Sequence, residues 1–322
     1  MNGNGQIAYL RKFIDTRWIA SFAALIYLLL ISYISDLKPE NLIIAAAYIF
    51  LIWFTSKSRR FILAFTIFVI FGISYDLMKN WPNYLFNTVD IGGIYHLEKA
   101  IFGIRIEDMV VIPNEYLAIK HNTFLDLLCG LIYLNWVPVP LAYAVYLYIK
   151  KRESYLDYGL AFLLVNFIGF AGYYIHPAAP PWYVDLHGFG LDTSVHGNAA
   201  GLARFDELIG VPVFSSIYTR NSNVFAAVPS LHCAYPVVML YYGVKNNRKG
   251  LSSVSGILMV LFMIGIWFSA VYSGHHYIID VILGVICAIT GIFFYELILK
   301  KFPDFIRFRT AYLKLIVPNI QK

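Results

Sequence analysis

The chain has 322 residues, of which 59% are hydrophobic and only 14% charged. A water-soluble surface needs roughly a quarter of the chain to be charged, so a soluble globule is excluded, and disordered and collagen-like classes fall on the same composition. The formal net charge of +6 hints at nucleic acid, but where the cations sit decides that question. The three cysteines, Cys129, Cys233 and Cys287, each lie inside an apolar run and build neither a disulfide framework nor a CxxC metal site.

In chain order, eight uncharged stretches are long enough, or nearly so, to cross a bilayer core: residues 18–35, 41–56, 61–75, 127–149, 158–175, 224–244, 251–274 and 281–295. They read as helices, because lipid cannot satisfy open backbone groups and the runs lack period-2 alternation. The third and eighth hold 15 residues, about 22 Å at ~1.5 Å per residue, and their charged flanks reach the interface by snorkelling. The first follows Arg11, Lys12 and Arg17 but has no small-residue cleavage site, so it reads as an uncleaved span.

Between spans three and four, residues 79–122 carry Trp81, Tyr84, Tyr95 and scattered charges, which suits an interfacial, partly helical segment. Residues 176–223 are rich in Pro, Gly, His and Asp, and their aromatic content and proline pairs favour an ordered cap. The expected organisation is three N-terminal transmembrane helices (1–78), an extracytoplasmic interfacial segment (79–122), a catalytic membrane region (123–300, including loop 176–223) and a cytoplasmic basic tail (301–322). No strong internal repeat supports an inverted-repeat transporter.

Eight spans put both termini on one side of the membrane. The segments on that side carry 18 of the 25 Lys and Arg residues, and the opposite segments carry 7. The basic side is therefore expected to be cytoplasmic. The charge is a topology signal, and no nucleic-acid partner is needed to explain it. Short termini without a eukaryotic sorting tail favour a bacterial inner membrane, with a Golgi lumen as the eukaryotic counterpart.

Polar residues gather at the outer ends of the last three spans. "VFAAVPSLHCAYP" sets Pro229, Ser230 and His232 at the start of the sixth, and "YSGHHYIIDVILGV" sets His275, His276 and Asp280 at the start of the eighth. His276 and Asp280 are four apart, on one face of a helix. A carboxylate there holds an imidazole in one tautomer and raises its basicity. Pro229 suits a first helical turn, whose free N–H groups favour an anionic oxygen. Two histidines, one carboxylate and a helix N-terminus are suitable parts for phosphoryl transfer. A lone interfacial histidine is more often an anchor, and His-x3-Asp alone is a weak pattern. Zinc would suit a His pair, but there is no HExxH and no cysteine at a plausible spacing. The weight lies in both clusters falling on one side, at neighbouring span starts.

"PSLH" followed by "HHYIID" resembles the second and third signatures of the membrane type-2 phosphatidic acid phosphatase (PAP2) superfamily. "HPAAPPWY" (176–183), "SVHGNAAGLARFDELIG" (194–210), "VFAAVPSLHCAYP" (224–236), "SGHHYIIDVILG" (273–284) and "FLDLLCGLIY" (124–133) resemble the inositol phosphorylceramide synthase catalytic subunit family within it. The resemblance covers about residues 120–290, and as a set the motifs are highly specific. Two departures stand out. The superfamily's first signature, Lys-x6-Arg-Pro, is absent, and Ser269 is followed by Ala270 where the third signature has Arg. Loss of these phosphate-clamping cations favours a head-group transferase over a simple phosphatase.

The resemblance implies an all-α integral membrane fold of about eight helices around a PAP2-like six-helix core, with an ordered extracytoplasmic loop cap. It implies His276 as the nucleophile that becomes phospho-histidine, Asp280 as its orienting partner, and His232 as acid and then base. No metal or other cofactor is implied, so developing charge must be met by protein donors. For substrate binding, Arg204 is nominated for the phosphate, with a loop salt bridge to Asp206 as the structural alternative. Ser230 is a nearby hydroxyl donor. Asp126 is an acceptor for inositol hydroxyls or a structural cap. His275 completes the set, or is positional only. Trp182 and Tyr183 are expected to anchor the loop in the headgroup zone rather than touch substrate.

The implied reaction moves inositol phosphate from phosphatidylinositol to the primary hydroxyl of a ceramide and releases diacylglycerol, so the partners are membrane lipids. Water as acceptor would give a lipid phosphatase instead. Phosphatidylinositol phosphate or another head group is an alternative donor. A non-enzymatic lipid transporter or channel would need charges near span midplanes, which are nearly absent. The sequence carries no legible mark of a regulatory subunit.

Overall fold

The computed structural model describes the backbone of residues 3–220 and 223–317, and side chains from Thr16 onward. Parts of the expected regions 1–78, 176–223 and 301–322, and the side chains of Arg11 and Lys12, lie outside the described residues. The chain begins with α1 (Gly3–Ile34), α2 (Pro39–Phe54) and α3 (Ser56–Leu77). Next come α4 (Gly92–Phe102) and α5 (Pro113–Ile119), on either side of a hairpin of β1 (Ile104–Ile106) and β2 (Met109–Val111). Then follow α6 (Thr123–Tyr133), α7 (Pro138–Lys150) and α8 (Arg152–Ile175), the short helices α9 (Pro181–His187), α10 (Ala203–Ile209) and α11 (Val213–Tyr218), and finally α12 (Leu231–Lys245), α13 (Val254–Tyr272), α14 (Ile278–Phe293) and α15 (Pro303–Ile316).

Among the described residues, six helical stretches are long and apolar enough to cross a membrane: Thr16–Ile34, Ser56–Asn80, Thr123–Lys150, Arg152–Ile175, Val254–Tyr272 and Ile278–Lys301. The other two expected spans correspond to shorter helices, α2 with 16 residues and α12 with 15. The protein is an all-α integral membrane chain, apart from the small hairpin at residues 104–111, which the sequence reading does not anticipate. Its turn passes through Glu107 at φ 51°.

Local chemistry moves several boundaries. The fourth span divides into α6 and α7, because Pro138 starts α7 and, lacking an N–H, cannot continue the helix before it. The third and fifth start earlier than expected, at Ser56 and Arg152, since charged flanking residues extend a helix as readily as apolar ones. The sixth starts late. Residues 224–229 form a turn, a single bridge from Ala226 to Ala178 and a bend instead of helix, and Ser230 is the N-cap of α12. Pro229 therefore lies just before the helix and not in its first turn, a correction that follows from Ser230 taking the cap.

The chain divides into two compact units, residues 1–70 with 307–322, and residues 71–306. In the first, α1 packs along α2, Trp53 Nε1 donates to Ser21 Oγ at 3.0 Å, and Tyr312 OH donates to the Leu63 carbonyl at 2.7 Å. In the second, α12 is central, packed against α13, α14 and α8, with α6 on α13 and α7 on α8. One end of this bundle gathers the start of α6, the end of α8, the start of α12, the end of α13 and the start of α14. The short elements between residues 83 and 218 lie at the same end. Asn83 Nδ2 donates to the Tyr173 and Phe225 carbonyls, and Trp182 N donates to the Gly274 carbonyl at 3.0 Å.

Candidate active site

His232 stands in the first turn of α12. That turn is set by Ser230, whose fully buried Oγ accepts from Cys233 N at 3.3 Å. The N–H of Ser230 donates to the Asp280 carbonyl at 3.1 Å, which ties the start of α12 to the first turn of α14. Gly284 permits this contact, because a Cβ there would run into the Ser230 carbonyl oxygen. After α13 the chain turns at Gly274 (φ 73°), and the N–H groups of His275 and His276 both donate to the Ala270 carbonyl.

These elements bring together the three residues expected to do chemistry. His232 Nδ1 lies 2.9 Å from His276 Nε2, and His276 Nδ1 lies 3.4 Å from Asp280 Oδ2. The second distance exceeds an ordinary hydrogen bond, a looseness common in substrate-free sites. With Asp280 Oδ2 as the acceptor, the arrangement fits the Nδ1–H tautomer of His276, which turns the Nε2 lone pair toward His232. Asp280 is fully buried. Its Oδ2 accepts from Tyr277 N at 2.9 Å, and its Oδ1 has no partner among the described residues. A buried orphan oxygen is costly, and this one sits beside the histidine pair. Burial pushes the His276 imidazole down to about 3, against a smaller upward pull from the Ala227 carbonyl. His276 is therefore neutral across the ordinary pH range, which leaves a ring nitrogen lone pair free.

The surrounding wall is aromatic. His232 packs on Trp136 and Tyr133, with ring centroids 4.1 and 5.3 Å away. His275 is held away from the pair. Its Nδ1 is 3.0 Å from Ser273 Oγ, its Nε2 is 3.2 Å from the Asn198 carbonyl, and its ring packs on Tyr218. These contacts match the positional alternative for His275.

Sequence reasoning missed two supports. The carboxylate of Glu98, fully buried on α4, accepts from Ile278 N at 2.9 Å and Ile279 N at 3.1 Å, and so caps α14 directly after the histidines. Asn114 Nδ2 donates to the Val271 and His276 carbonyls at 2.8 and 2.9 Å. A glutamate midway along an amphipathic helix and an asparagine after a proline carry no local signal of such reach. Glu98 thus occupies the first two N–H groups of α14, and Asp280 the N–H of its N-cap Tyr277.

Arg204, nominated for the phosphate, pairs with Asp126 and not with Asp206. Its Nε donates to Asp126 Oδ1 at 2.6 Å, and its guanidinium lies 5.3 Å from the Tyr272 ring centroid. Asp126 also accepts from Tyr272 OH at 2.8 Å and contacts His121 Nδ1 at 3.2 Å, so both its oxygens are engaged. Asp206 is occupied elsewhere, by Phe214 N, Ser215 N and Ser215 Oγ. Arg204 Nη2 is buried and has no hydrogen-bond partner among the described residues. Trp182 and Tyr183, expected as headgroup anchors, are buried instead. They pack with Ile91, Ala179 and Phe225, because Pro180 and Pro181 turn the chain inward.

Two cavities are lined by residues next in sequence to His275, His276 and Asp280, though by none of the three histidines of the site. One, of about 370 Å³, is lined by Tyr95, Glu115, Trp182, Asp185, Asn198 and Arg204, together with the Ser273–Gly274 turn. The other, of about 570 Å³, is an apolar groove lined by Leu117, Trp267, Phe268, Val271, Val281 and Ile282. Among the described residues, no group of three or more His, Cys, Asp or Glu is arranged to hold a metal ion.

Residues 93–294, which contain every residue of this site, match the family model of the PAP2 superfamily. The chain belongs to that superfamily. This PAP2 member is 48% identical over 292 residues to phosphoinositol dihydroceramide synthase of Bacteroides thetaiotaomicron, covering 90% of the chain and 95% of the relative. It is 28% identical over 257 residues to inositol phosphorylceramide synthase of Candida albicans, covering 77% of the chain and 50% of that protein. It is 30% identical over 193 residues to the inositol phosphorylceramide synthase catalytic subunit of Saccharomyces cerevisiae, covering 58% of the chain and 45% of that protein. Within the superfamily, these similarities place it in the inositol phosphorylceramide synthase family. No solved structure matches significantly.

Proposed function

We propose that the protein moves inositol phosphate from a phosphatidylinositol-type lipid to the primary hydroxyl of ceramide or dihydroceramide and releases diacylglycerol. The observation that carries this reading is the buried His232–His276–Asp280 constellation inside a chain 48% identical to a phosphoinositol dihydroceramide synthase. In the first displacement His276 Nε2 attacks phosphorus and the bond to the diacylglycerol oxygen breaks, while His232, which takes up a proton when the anionic phosphodiester binds beside it, gives that oxygen the proton. In the second, the ceramide hydroxyl gives its proton to His232, its oxygen attacks phosphorus, and the P–N bond breaks to restore neutral His276. Substrate takes the place of the 2.9 Å contact between the two rings. Asp280 holds the His276 tautomer and balances the cationic ring. Two half-reactions at one nucleophile let two lipids use one site in turn.

The reading favours ceramide over water as acceptor because His276 is only 4% exposed. The apolar groove beside Val271 and Val281 supports lateral entry of lipid tails. The excess of Lys and Arg on the segments that an eight-span order sets opposite the site supports cytoplasmic termini and an extracytoplasmic site. The bacterial relative supports a bacterial inner membrane. Arg204, held by Asp126, is the cation offered to the phosphate, while Ser230 acts through the helix it caps.

The test is incubation of the purified protein with phosphatidylinositol and ceramide, with products resolved by mass. Inositol phosphorylceramide and diacylglycerol should form in equal amounts. Release of soluble phosphate or inositol phosphate with no ceramide product would replace this reading with a phosphatase.

A further inference from the structure

The cavity of about 370 Å³ has two chemically different ends. One is cationic. Arg204 is fixed through Nε by Asp126, and its guanidinium lies over Gly201, where a Cβ would come within 3.0 Å of Nη2. That leaves the buried Nη2 without a hydrogen-bond partner among the described residues. The Ser273–Gly274 turn that leads into His275 and His276 lines the same end.

The other end is acidic, formed by Tyr95, Glu115 and Asp185. Glu115 is already committed, with Oε1 accepting from Tyr95 OH at 2.7 Å and Oε2 from Ile112 N at 2.9 Å. Asp185 has no hydrogen-bond partner among the described residues. It shares a face of α9 with Trp182 three positions before it, and both line the cavity. The volume falls within the range of about 300–1,000 Å³ typical of small-molecule sites.

An arginine with one open N–H group, an unpaired carboxylate and aromatic side chains in one lining fit neither an acyl chain nor bare phosphate. They fit a ring that carries one anionic substituent and a rim of hydroxyls, each able to donate to a carboxylate. We propose that this cavity holds the polyol ring of the donor head group, with Arg204 meeting its phosphate and Asp185 accepting from its hydroxyls. This rests on the inositol-phosphate transfer proposed above. The same carboxylate disfavours a ring bearing a second phosphate at that end, because like charges would meet there. The rival occupant is an aminoalcohol head group, which would place an ammonium at Asp185.

Two substitutions separate these cases, assayed on the purified full chain with phosphatidylinositol and with phosphatidylethanolamine as donors and ceramide as acceptor. Asp185→Ala should raise the KM for phosphatidylinositol about 10-fold and leave the ceramide KM unchanged. Asp185→Asn, whose amide oxygen still accepts from hydroxyls, should stay within about 3-fold of wild type, because only the charge is lost. Asp185 is exposed on a short helix, so both variants should keep wild-type thermal stability. An unmoved phosphatidylinositol KM in Asp185→Ala removes this site while leaving the transferase reading intact. Equal damage from Asn and Ala, with turnover of phosphatidylethanolamine by wild type, assigns the cavity to an ammonium and overturns the proposal. Absence of inositol-phosphate transfer by wild type removes the function and this site with it.

Discussion

The chemistry proposed for His276 depends on an imidazole kept neutral by burial. Its value near 3 lies below the 6.5 of an ordinary imidazole, so between those limits the unfolded chain binds more protons than the folded one. The stability contribution of this group is complete above pH 6.5 and is lost as pH falls toward 3. Thermal midpoints measured down a pH series should hold above pH 6.5 and fall below it, and His276→Gln should flatten that acid slope. His276→Ala should abolish transfer while leaving expression and the neutral-pH melting temperature near wild type. Retained synthase activity in that variant would falsify the phospho-histidine route. His232→Ala should lose about 10²–10⁴ in kcat, the usual worth of general acid–base catalysis, and a loss under about 10-fold would remove it from that role.

Helix starts and their contacts fix the geometry of the site. Glu98 reaches from α4 to cap α14 next to the histidine pair, so Glu98→Ala strands two part-buried N–H groups. The expected cost is about 1 kcal/mol for each, the low end of the range for a fully buried group left unsatisfied. It should be read as a lower melting temperature together with a lower kcat at unchanged KM for both lipids, since the cap positions α14 without touching substrate. A KM change with kcat intact would argue for direct substrate contact instead. At the crossing of α12 and α14, Gly284→Ala forces a methyl against the Ser230 carbonyl and spreads the elements that carry His232 and Asp280. Overpacking of this kind costs about 1–3 kcal/mol, and activity should fall further than stability. A fully active Gly284→Ala enzyme would show that the crossing tolerates movement.

At the scale of the molecule, the excess of Lys and Arg on one set of connecting segments predicts an orientation that labelling can test. The native cysteines Cys129, Cys233 and Cys287 are all buried, so single introduced cysteines give a clean readout. Asp192→Cys, in the exposed loop after α9, should react with a membrane-impermeant maleimide from the extracytoplasmic side of intact cells. Arg248→Cys, between α12 and α13, should react only after permeabilisation. The reverse pattern would invert the topology and place the site in the cytoplasm.

The membrane-spanning, all-helical character was legible in the amino-acid order because it rests on local properties, apolar length and lipid's intolerance of open backbone groups, while of the eight expected spans six are helices long enough to cross among the described residues. His232, His276 and Asp280 were legible too, since two short motifs at neighbouring span starts leave few other ways to arrange them. Boundaries were less so, because the choice between Pro229 in the helix and Ser230 as its cap turns on one hydrogen bond. Long-range pairing was not legible at all. Arg204 could bind Asp206 two residues away or Asp126 on another helix, and only the approach of α10 to α6 selects the latter. Glu98 under α14, and Asp185 across a cavity from Arg204, owe their places to folding of the segments around residues 90–200. No periodicity encodes such contacts, because each joins residues far apart in the chain whose meeting depends on every element packed between them.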